Sequence, residues 1–480
     1  MNDRKGFGSN FGFLMAAVGS AVGLGNIWGF PQQNGCQRWL PFLILYLALA
    51  LCCGVIIMLG ELALGRKTGH GAVGAYQSIS KRFKWLGWLG IAAAALIFSF
   101  YSALGGYCLR YVVVNFGNLI GAEFGTNGVG GSDVFQTLLS QPGVSIAFAL
   151  AFMLITMLVV MGGVGGGIER VCSVGMPALF FILIICIIRA CTLPGAADGL
   201  KYMFVPGWSV ANGIIDEAPG FWKVLTAAGG QMFFSLSLGA GVMITYGSYL
   251  DKKQDLGKSA MIIVGMDTVV ALMAGLCVIP GRFALDPSGD LGGPELLFIT
   301  MQNVFDKMGP AGPVFGILFY LLVFFAAISS SISMLEVIVA HFCDKAREKG
   351  KGDRRKLYSA IVVVICAALC ALVCADGMGS NHISPAELLG LAGAKLPGWS
   401  TSWLGLFDSV AEGLLMPLGA LLMCLMISWE LKPDALRQEI LLNGENRPWV
   451  YDFFRLCVKY ITPLCMLMIL YGQISDFFIV

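Results

Sequence analysis

The sequence predicts an all-α integral membrane protein with eleven transmembrane helices. Of its 480 residues, 57% are hydrophobic and 12% are charged, whereas soluble domains carry about 25% charged residues. Eleven apolar runs are long enough to cross a bilayer, which takes about 20 residues, and the first and sixth are interrupted by glycine and serine. The net charge is +2. The basic residues are spread over loops and form no single basic face, so they do not indicate a nucleic-acid partner.

The apolar runs divide the chain into short loops whose charges predict its orientation. The runs lie at residues 11–31, 41–64, 86–117, 144–161, 172–192, 224–250, 259–281, 311–341, 357–375, 404–430 and 452–478. Lys and Arg are concentrated in alternate loops, beginning with Arg4 and Lys5. Because cytoplasmic loops carry this excess, we expect a multi-pass protein of the cell inner (plasma) membrane with a cytoplasmic N-terminus and an external C-terminus. The first run lacks a signal-peptide cleavage site, so we expect it to stay as a helix.

The first and sixth runs are weakened at membrane depth. Residues 12–31 read GFLMAAVGSAVGLGNIWGFP, with Ser20 and Asn26 in the middle, and residues 230–250 read GQMFFSLSLGAGVMITYGSYL. Glycine costs about 1 kcal/mol relative to alanine in a helix, and irregular backbone survives in a bilayer only where protein buries it or where it lines a cavity. A single glycine-rich span could be explained by close packing of helices. Two spans that are broken in the same way, five spans apart, instead indicate the central binding site of a transporter.

The two broken spans would lie on opposite sides of the membrane if spans 1–5 and 6–10 are inverted repeats. We expect residues 1–192 to form a first repeat and residues 193–430 a second (5+5), with residues 431–480 adding an eleventh span. The half-helix ends at each break carry partial positive charge on N–H groups and partial negative charge on carbonyls. We therefore expect a site that holds a zwitterion beside cations.

Four motifs resemble the neurotransmitter:sodium symporters across essentially the whole chain. They are GSAVGLGNIWGFP (19–31), GELALGRKTGHG (60–71), FFSLSLGAG (233–241) and FFAAISSSIS (324–333). The resemblance is closest to the eleven-span bacterial members that carry hydrophobic amino acids. It implies the inverted-repeat fold in a lipid bilayer. It also implies that the protein binds an amino acid and sodium ions, and that sodium drives import of the amino acid by alternating access.

The resemblance also implies two Na⁺ sites. One is formed by carbonyl and hydroxyl oxygens of spans one and eight: Gly19, Val22, Ala326, Ser329 and Ser330. The other combines side chains and carbonyls with the carboxylate of the substrate itself: Ala21, Asn26, Ser235 and Asp267. The shared ligand would couple the substrate to the ion, because each then stabilises the other.

Asp267 is the most informative ionisable residue because it lies inside the seventh apolar run. Carboxylates within a membrane are costly and are usually functional. Many animal relatives have an Asn in this region and need chloride, so an anionic Asp267 predicts transport that needs no chloride. The alternative is a protonated Asp267 that is hydrogen-bonded as part of the core.

The implied substrate site is mostly apolar. Tyr101 matches the family's tyrosine that hydrogen-bonds the substrate carboxylate. The implied substrate-binding residues are Ala21, Gly25, Ile97, Tyr101, Phe233, Phe234, Ser235, Ser237, Ala240, Gly241, Ser330 and Met334. Such a pocket discriminates weakly between side chains that differ by a methylene. We expect a broad range of hydrophobic and aromatic amino acids as substrates.

The family's gates are only partly retained. Phe234 would close the site from outside, and Arg4 and Asp344 match the charge pair of the inner gate. The outer gate of the family pairs an arginine with an acid of span ten, but here Gly29 replaces the arginine while Asp408 is retained. Outer closure would then depend on Phe234 or on another basic residue.

Two further features concern the backbone near the site. The resemblance implies that Glu61 braces the broken spans. Residues 162–177, GGVGGGIERVCSVGMP, place six glycines before Pro177. Unwinding there would let cytoplasmic water reach the sodium site at Ser329 and Ser330.

Residues 32–40 read QQNGCQRWL where relatives have a pattern like Y-K-M-G-x-N-G-G-F. The possible codons read one base later give S/N-K/R-M-G-A-N-G-G, which restores the family pattern in register. We favour a compensated frameshift over natural divergence, and therefore give Cys36, Arg38 and Trp39 no functional weight.

Other functions remain as alternatives. A symporter for another small amino acid or amine has the same fold, and an amino-acid sensor would bind without transport. A membrane enzyme is disfavoured because His70, His341 and His382 form no catalytic cluster in the sequence. No GxxxxGK[ST] motif is present, which excludes transport driven by a P-loop ATPase within this chain.

Overall fold

A computed structural model describes residues 6–36, 40–214, 219–288, 293–390, 398–431, 433–442 and 448–478. These residues form helices joined by turns, and none of them is in a β-strand. The all-α class predicted from composition is thus observed.

Nine helical runs within the described residues are long and apolar enough to cross a membrane. They are span 2 (Pro41–Thr68), span 3 (Lys81–Ile120), span 4 (Pro142–Met161), span 5 (Val164–Cys191), span 7 (Leu256–Leu285), span 8 (Gly309–Glu348), span 9 (Arg355–Asp376), span 10 (Trp403–Leu431) and span 11 (Pro448–Ser475). Short helices connect them: Ala72–Ile79, Gly131–Leu139, Ala196–Phe204, Trp208–Ala211, Met301–Lys307, Pro385–Leu388 and Arg437–Ile440.

The first predicted span is two helices with a sharp bend. Asn10–Ala21 and Leu24–Pro31 meet at 64°, and this bent pair, span 1, makes ten candidate spans in the described chain. The break at residues 22 and 23 falls in the glycine-rich motif, as the sequence predicts.

The sixth predicted span is broken more severely, so it is not among those ten. It consists of Phe221–Leu236 and Val242–Gly247, and neither half alone has the length to cross a bilayer. Between them Gly239 and Gly241 have φ of 80° and 76°, which glycine adopts without steric cost. With these two halves counted as span 6, each of the eleven predicted apolar runs corresponds to helix in the structure.

The broken spans lie inside a ring of longer ones. The most apolar stretch of span 3 is 78% buried within the protein, against 28% for span 5. Span 8 packs along span 3, and span 1 contacts spans 5, 7 and 8. Spans 4, 5 and 9 carry large exposed apolar side chains on their outer faces: Leu158, Val174, Phe181, Ile188 and Val364. These faces meet lipid, while the two breaks are enclosed by protein.

The unusual segment at residues 32–40 lies partly outside the described structure. The backbone is helical over Gly29–Cys36 and again over Leu40–Leu49, but residues 37–39 lie outside the described residues. The frameshift hypothesis therefore stays a hypothesis about the gene.

Candidate functional site

The break in span 1 presents backbone donors to the centre of the protein. The N–H of Leu24 donates to Tyr101 Oη at 2.8 Å, and the N–H of Gly23 donates to Asn26 Oδ1 at 2.9 Å. A Cβ at Gly23 would lie 2.7 Å from Tyr101 Oη, so the tyrosine hydroxyl sits directly on the break. Together these groups can bind a carboxylate.

Asp267 lies at the centre of a buried polar cluster beside the break. Asn26 Nδ2 donates to Asp267 Oδ1 at 2.8 Å. The hydroxyl of Ser235 lies 2.8 Å from Oδ2 and 3.0 Å from Oδ1. Tyr46 Oη donates to Oδ2 at 3.2 Å. All of these partners are uncharged, and Asp267 is 0% exposed.

This environment requires a compensating charge. A buried carboxylate is strongly destabilised unless a cation, a proton or several hydrogen bonds offset its charge. The described residues contain no ion pair to Asp267, and its hydrogen bonds come from the uncharged groups of Asn26, Ser235 and Tyr46. A cation would therefore be favoured beside this carboxylate. Asp267, Asn26 and Ser235, three residues predicted for the second sodium site, are in direct contact with one another.

Ser330 lies at the centre of a second cluster made of neutral oxygens. Its hydroxyl lies 3.3 Å from the carbonyl oxygens of Gly19, Ser20 and Ala326 and 3.2 Å from that of Val22. A hydroxyl has one proton to donate, so the cluster has more acceptors than donors. Hard cations prefer oxygen ligands, and this excess of acceptor oxygens fits Na⁺.

Ser329 is oriented differently from its neighbour. Its hydroxyl lies 2.9 Å from the carbonyl oxygen of Phe325 and 3.0 Å from that of Ala326, both on its own helix. A Cβ at Gly19 would lie 2.9 Å from Ser329 Cβ and 3.1 Å from Met176 Sδ. Ser329 therefore lies at the edge of the oxygen cluster, where Met176 of span 5 also contacts span 1.

Nine of the twelve predicted substrate-binding residues line one central cavity of about 30 Å³. They are Ala21, Gly25, Ile97, Tyr101, Phe234, Ser235, Ser237, Ser330 and Met334.

Three predicted residues do not line this cavity. Phe233 precedes Phe234 on the same helix, where successive side chains point about 100° apart, and it is buried in the surrounding core. Ala240 and Gly241 lie in the turn after the helix, where a Cβ at Gly90 would lie 3.1 Å from the Ala240 carbonyl carbon and one at Gly241 would lie 2.7 Å from Ala72 Cβ. The predicted contact of these three residues with the substrate stays a prediction.

Several lining residues were not singled out from the sequence. They are Ser20, Gly23, Leu24, Phe98, Ser331, Glu412 and Met416. Glu412 is the most notable, and it had a signal in the sequence: it is a carboxyl group within the tenth apolar run, one turn after Asp408.

Phe234 and Tyr101 separate the central cavity from a wider vestibule of about 450 Å³, and both line the two spaces. The ring of Phe234 packs directly against Gly25, where a side chain would collide with it. Only glycine fits at residue 25 with Phe234 in this position. This placement agrees with the predicted role of Phe234 as the outer closure, which stays a proposal.

The two positions compared with the family's outer gate, Gly29 and Asp408, both line the vestibule. A Cβ at Gly29 would lie 2.8 Å from Gln231 Oε1, and Gln231 Nε2 donates to the Gly25 carbonyl at 3.2 Å. Gln231 thus fills the space beside Gly29. The carboxyl group of Asp408 faces that of Glu412, one helical turn away.

Glu61 is attached to the break in span 6. The N–H of Gly239 donates to Glu61 Oε1 at 2.8 Å, and the backbone amides of Met243 and Ile244 face the same carboxyl group. Glu61 is 1% exposed. This contact holds the unwound segment against span 2, which is the bracing that the family resemblance implies for span 6.

The inner side has a separate polar network. Asp344 Oδ2 accepts from the Gly71 N–H at 3.0 Å, and Arg347 approaches Asp344 Oδ1 at 3.7 Å. Arg4 lies outside the described residues, so its predicted pairing with Asp344 stays a prediction.

Glu336 is bound within a buried structural cluster. Arg355 forms an ion pair with Glu336 Oε2, and Tyr249 Oη donates to Glu336 Oε1. Phe7 packs edge-on against Tyr249 at 6.3 Å between ring centres. The cluster joins the start of the chain to spans 8 and 9.

The glycine-rich segment before Pro177 lies where span 5 begins. It is a wide helical turn over Val164–Glu169, with Gly163 at φ 78°. Glu169 Oε2 accepts from the Gly8 N–H at 2.6 Å, and Ser9 Oγ donates to Oε1 at 2.7 Å. The start of span 1 is therefore attached to the segment whose unwinding the sequence predicts.

Comparisons with known proteins identify relatives of this chain. The family model described as the sodium:neurotransmitter symporter family matches residues 4–127 and 133–478. The uncharacterized sodium-dependent transporter YhdH of Bacillus subtilis is 35% identical over 479 residues, covering 97% of each chain. An uncharacterized sodium-dependent transporter of Methanocaldococcus jannaschii is 29% identical over 458 residues, covering 91% of this chain and 84% of that one.

A solved structure extends the agreement to the fold. The crystal structure of MhsT in complex with L-phenylalanine matches with a TM-score of 0.81 at 33% identity, over 98% of this chain and 99% of that chain. The resemblance seen in the motifs is confirmed. The chain belongs to the sodium:neurotransmitter symporter family.

Proposed function

We propose that this protein is a sodium-coupled secondary active symporter that imports hydrophobic and aromatic amino acids by alternating access. The observation that carries the proposal is the juxtaposition at the break of span 1. Donors for a carboxylate, from Leu24 and Tyr101, lie between the Asp267 cluster and the oxygen cluster at Ser330. A zwitterion and two sodium ions fit this arrangement.

The apolar part of the cavity supports the substrate class. Ile97, Phe98, Met334 and Met416 line it, and such side chains select an apolar group by excluding water. MhsT, whose structure is similar, was solved with L-phenylalanine. We therefore assign a broad range of hydrophobic and aromatic amino acids to this cavity.

Coupling would arise from a shared ligand. The substrate carboxylate, bound at Leu24 and Tyr101, would complete the Na⁺ site formed by Ala21, Asn26, Ser235 and Asp267. The second ion would take the oxygens around Ser330, including those of Gly19, Val22, Ala326 and Ser329. Because Asp267 supplies negative charge inside the protein, no chloride would be needed.

Alternating access would use the two repeats, residues 1–192 and 193–430, with residues 431–480 outside the moving core. Phe234 would close the outer side, and Arg4 with Asp344 would close the inner side. Unwinding of the segment before Pro177 would open a water path to Ser330. The protein would lie in the inner membrane of the cell, with its N-terminus in the cytoplasm and its C-terminus outside.

The test is uptake of radiolabelled phenylalanine, leucine and tryptophan into proteoliposomes. With Na⁺ outside and K⁺ inside, the proposal predicts accumulation above equilibrium, which collapses when Na⁺ is equal on both sides. Na⁺-dependent binding without uptake would identify a sensor instead. Uptake of only another small amino acid or amine would show that the substrate is different, while the proposal of sodium-coupled symport would still hold.

A further inference from the structure

Glu412 adds a carboxyl group to the central cavity that neither proposed sodium site uses. It lines both the central cavity and the outer vestibule. Asp408, Tyr101 and Lys223 are the other titratable side chains among the described residues that line the vestibule. Among the described residues that line the central cavity, there is no Lys, Arg or His.

The carboxyl groups of Glu412 and Asp408 face each other. They lie one helical turn apart in span 10, and both line the vestibule. An ionised carboxylate can only accept hydrogen bonds, so a hydrogen bond between the two groups would need one proton. With Gly29 at the position of the family's arginine, a proton between Asp408 and Glu412 would balance part of their charge.

A second polar group in the same cavity lacks a partner. Ser331 is 1% exposed, and within the described residues its hydroxyl has no hydrogen-bond partner. It lines the central cavity together with Glu412. A buried hydroxyl without a partner is costly, so a ligand with a polar group in this space would be favoured over a purely apolar one.

We propose that Glu412 is a specificity-determining residue that admits cationic amino acids, such as lysine and arginine, to the same cavity. This inference rests on the proposed function, amino-acid symport. The aliphatic stem of the substrate packs against the apolar wall of Ile97, Met334 and Met416. Its ammonium or guanidinium group donates to Glu412 in a charge-assisted hydrogen bond, which is stronger than a neutral one.

Binding of the cationic group replaces the shared proton. The hydrogen bond between Asp408 and Glu412 breaks, the O–H proton leaves to water in the vestibule, and the substrate cation takes its place beside the two carboxylates. One positive charge enters as one leaves, so the charge of the site is unchanged. An apolar substrate leaves the proton in place.

The first experiment compares uptake of labelled lysine and labelled phenylalanine in the same proteoliposomes under an inward Na⁺ gradient. We expect both to accumulate and each to inhibit the other. Glu412→Gln should lower the ratio of lysine to phenylalanine uptake by about tenfold or more, because a charged hydrogen-bond partner is lost. Glu123→Gln, exposed in the loop after span 3, should leave the ratio unchanged.

The second experiment follows protons with a pH-indicator dye in weak buffer. Lysine added to the purified protein in Na⁺ should release about one proton per site, whereas phenylalanine should release none. Glu412→Gln should abolish the lysine-dependent release, and a residue that merely stabilised the fold would not do so.

The outcomes separate the two proposals. Accumulation of phenylalanine without uptake of, or inhibition by, lysine overturns the role of Glu412 and retains the symporter. An unchanged uptake ratio in Glu412→Gln also overturns it, even if the variant alters the Na⁺ dependence. Accumulation of neither amino acid contradicts the proposed function itself.

Discussion

The two candidate cation sites differ in the origin of their negative potential. The cluster at Ser330 is built from neutral oxygens, four of them backbone carbonyls within 3.3 Å of one hydroxyl. The cluster at Asp267 has a carboxylate with three uncharged donors around it. The first depends on backbone geometry created by the break in span 1. The second depends on one ionisable side chain and on a substrate that brings a second carboxylate.

This difference predicts unequal sensitivity to mutation. Removing the charge from Asp267 removes the reason for a cation at its site. Removing one hydroxyl from the Ser330 cluster leaves the carbonyl oxygens in place. The predictions below run from the largest expected effect to the smallest.

Asp267→Asn should reduce Na⁺-driven uptake by about 100-fold or more in chloride-free buffer. The bound Na⁺ would then be buried without a carboxylate beside it, and an uncompensated buried charge costs several kcal/mol. Added chloride should restore part of the uptake by supplying the missing negative charge. Asp198→Asn is a matched control, since Asp198 is 55% exposed and pairs with Lys201. Full activity of Asp267→Asn without chloride would show that this carboxylate does not bind the ion.

Ser330→Ala should raise the Na⁺ concentration for half-maximal uptake by about tenfold, because a hydrogen bond or ligand to a charged group is worth about 1.5–3 kcal/mol. Ser329→Ala should have a smaller effect, since that hydroxyl is bonded to its own helix. The Na⁺ dependence of uptake at saturating amino acid measures both. A larger effect at Ser329 would contradict the assignment of Ser330 as the central ligand.

Tyr101→Phe should raise the substrate concentration for half-maximal uptake by about tenfold, with less effect on the response to Na⁺. The lost hydroxyl accepts from the Leu24 N–H and is the proposed donor to the substrate carboxylate, and a hydrogen bond to a charged group is worth about 1.5–3 kcal/mol. Ser102→Ala is a control on the next residue, where the hydroxyl bonds within its helix at 2.6 Å. Equal losses in the two variants would indicate damage to span 3 rather than to substrate binding.

Replacing chloride with gluconate should leave uptake by the unaltered protein unchanged, because Asp267 supplies the charge. This is the smallest predicted effect, and it separates the carboxylate-based site from a chloride-based one. A fall to background in gluconate would mean that Asp267 is protonated during transport.

Much of the architecture could be predicted because a bilayer constrains sequence strongly. Apolar length located all eleven helical regions, and the glycines of spans 1 and 6 marked both breaks, because backbone polar groups must be satisfied within a membrane. The contacts among Asn26, Ser235 and Asp267 were also anticipated, through the family motifs rather than through spacing alone.

The direction of side chains at the break of span 6 was less predictable. Phe233, Ala240 and Gly241 belong to the right motif, but they do not line the cavity. Ala240 lies between Gly239 and Gly241, whose positive φ angles set a turn that spacing alone does not predict. Glu412 was not predicted, because the family pattern points only to Asp408 in span 10. The spacing of four residues between Asp408 and Glu412 places both carboxyl groups on one face of a helix.

The segment at residues 32–40 calls for a genetic test rather than a structural one. Sequencing the gene across these codons should show a one-base offset that is corrected before residue 40. An intact reading frame would establish natural divergence and return Cys36, Arg38 and Trp39 to consideration.

The central claim is that two chemically different sodium sites act with one substrate. The most direct measurement is simultaneous uptake of labelled Na⁺ and labelled phenylalanine into proteoliposomes, with chloride replaced by gluconate. The account predicts two Na⁺ per phenylalanine in the unaltered protein and a loss of coupled uptake in Asp267→Asn. One Na⁺ per phenylalanine, or phenylalanine uptake without Na⁺ movement, would contradict it.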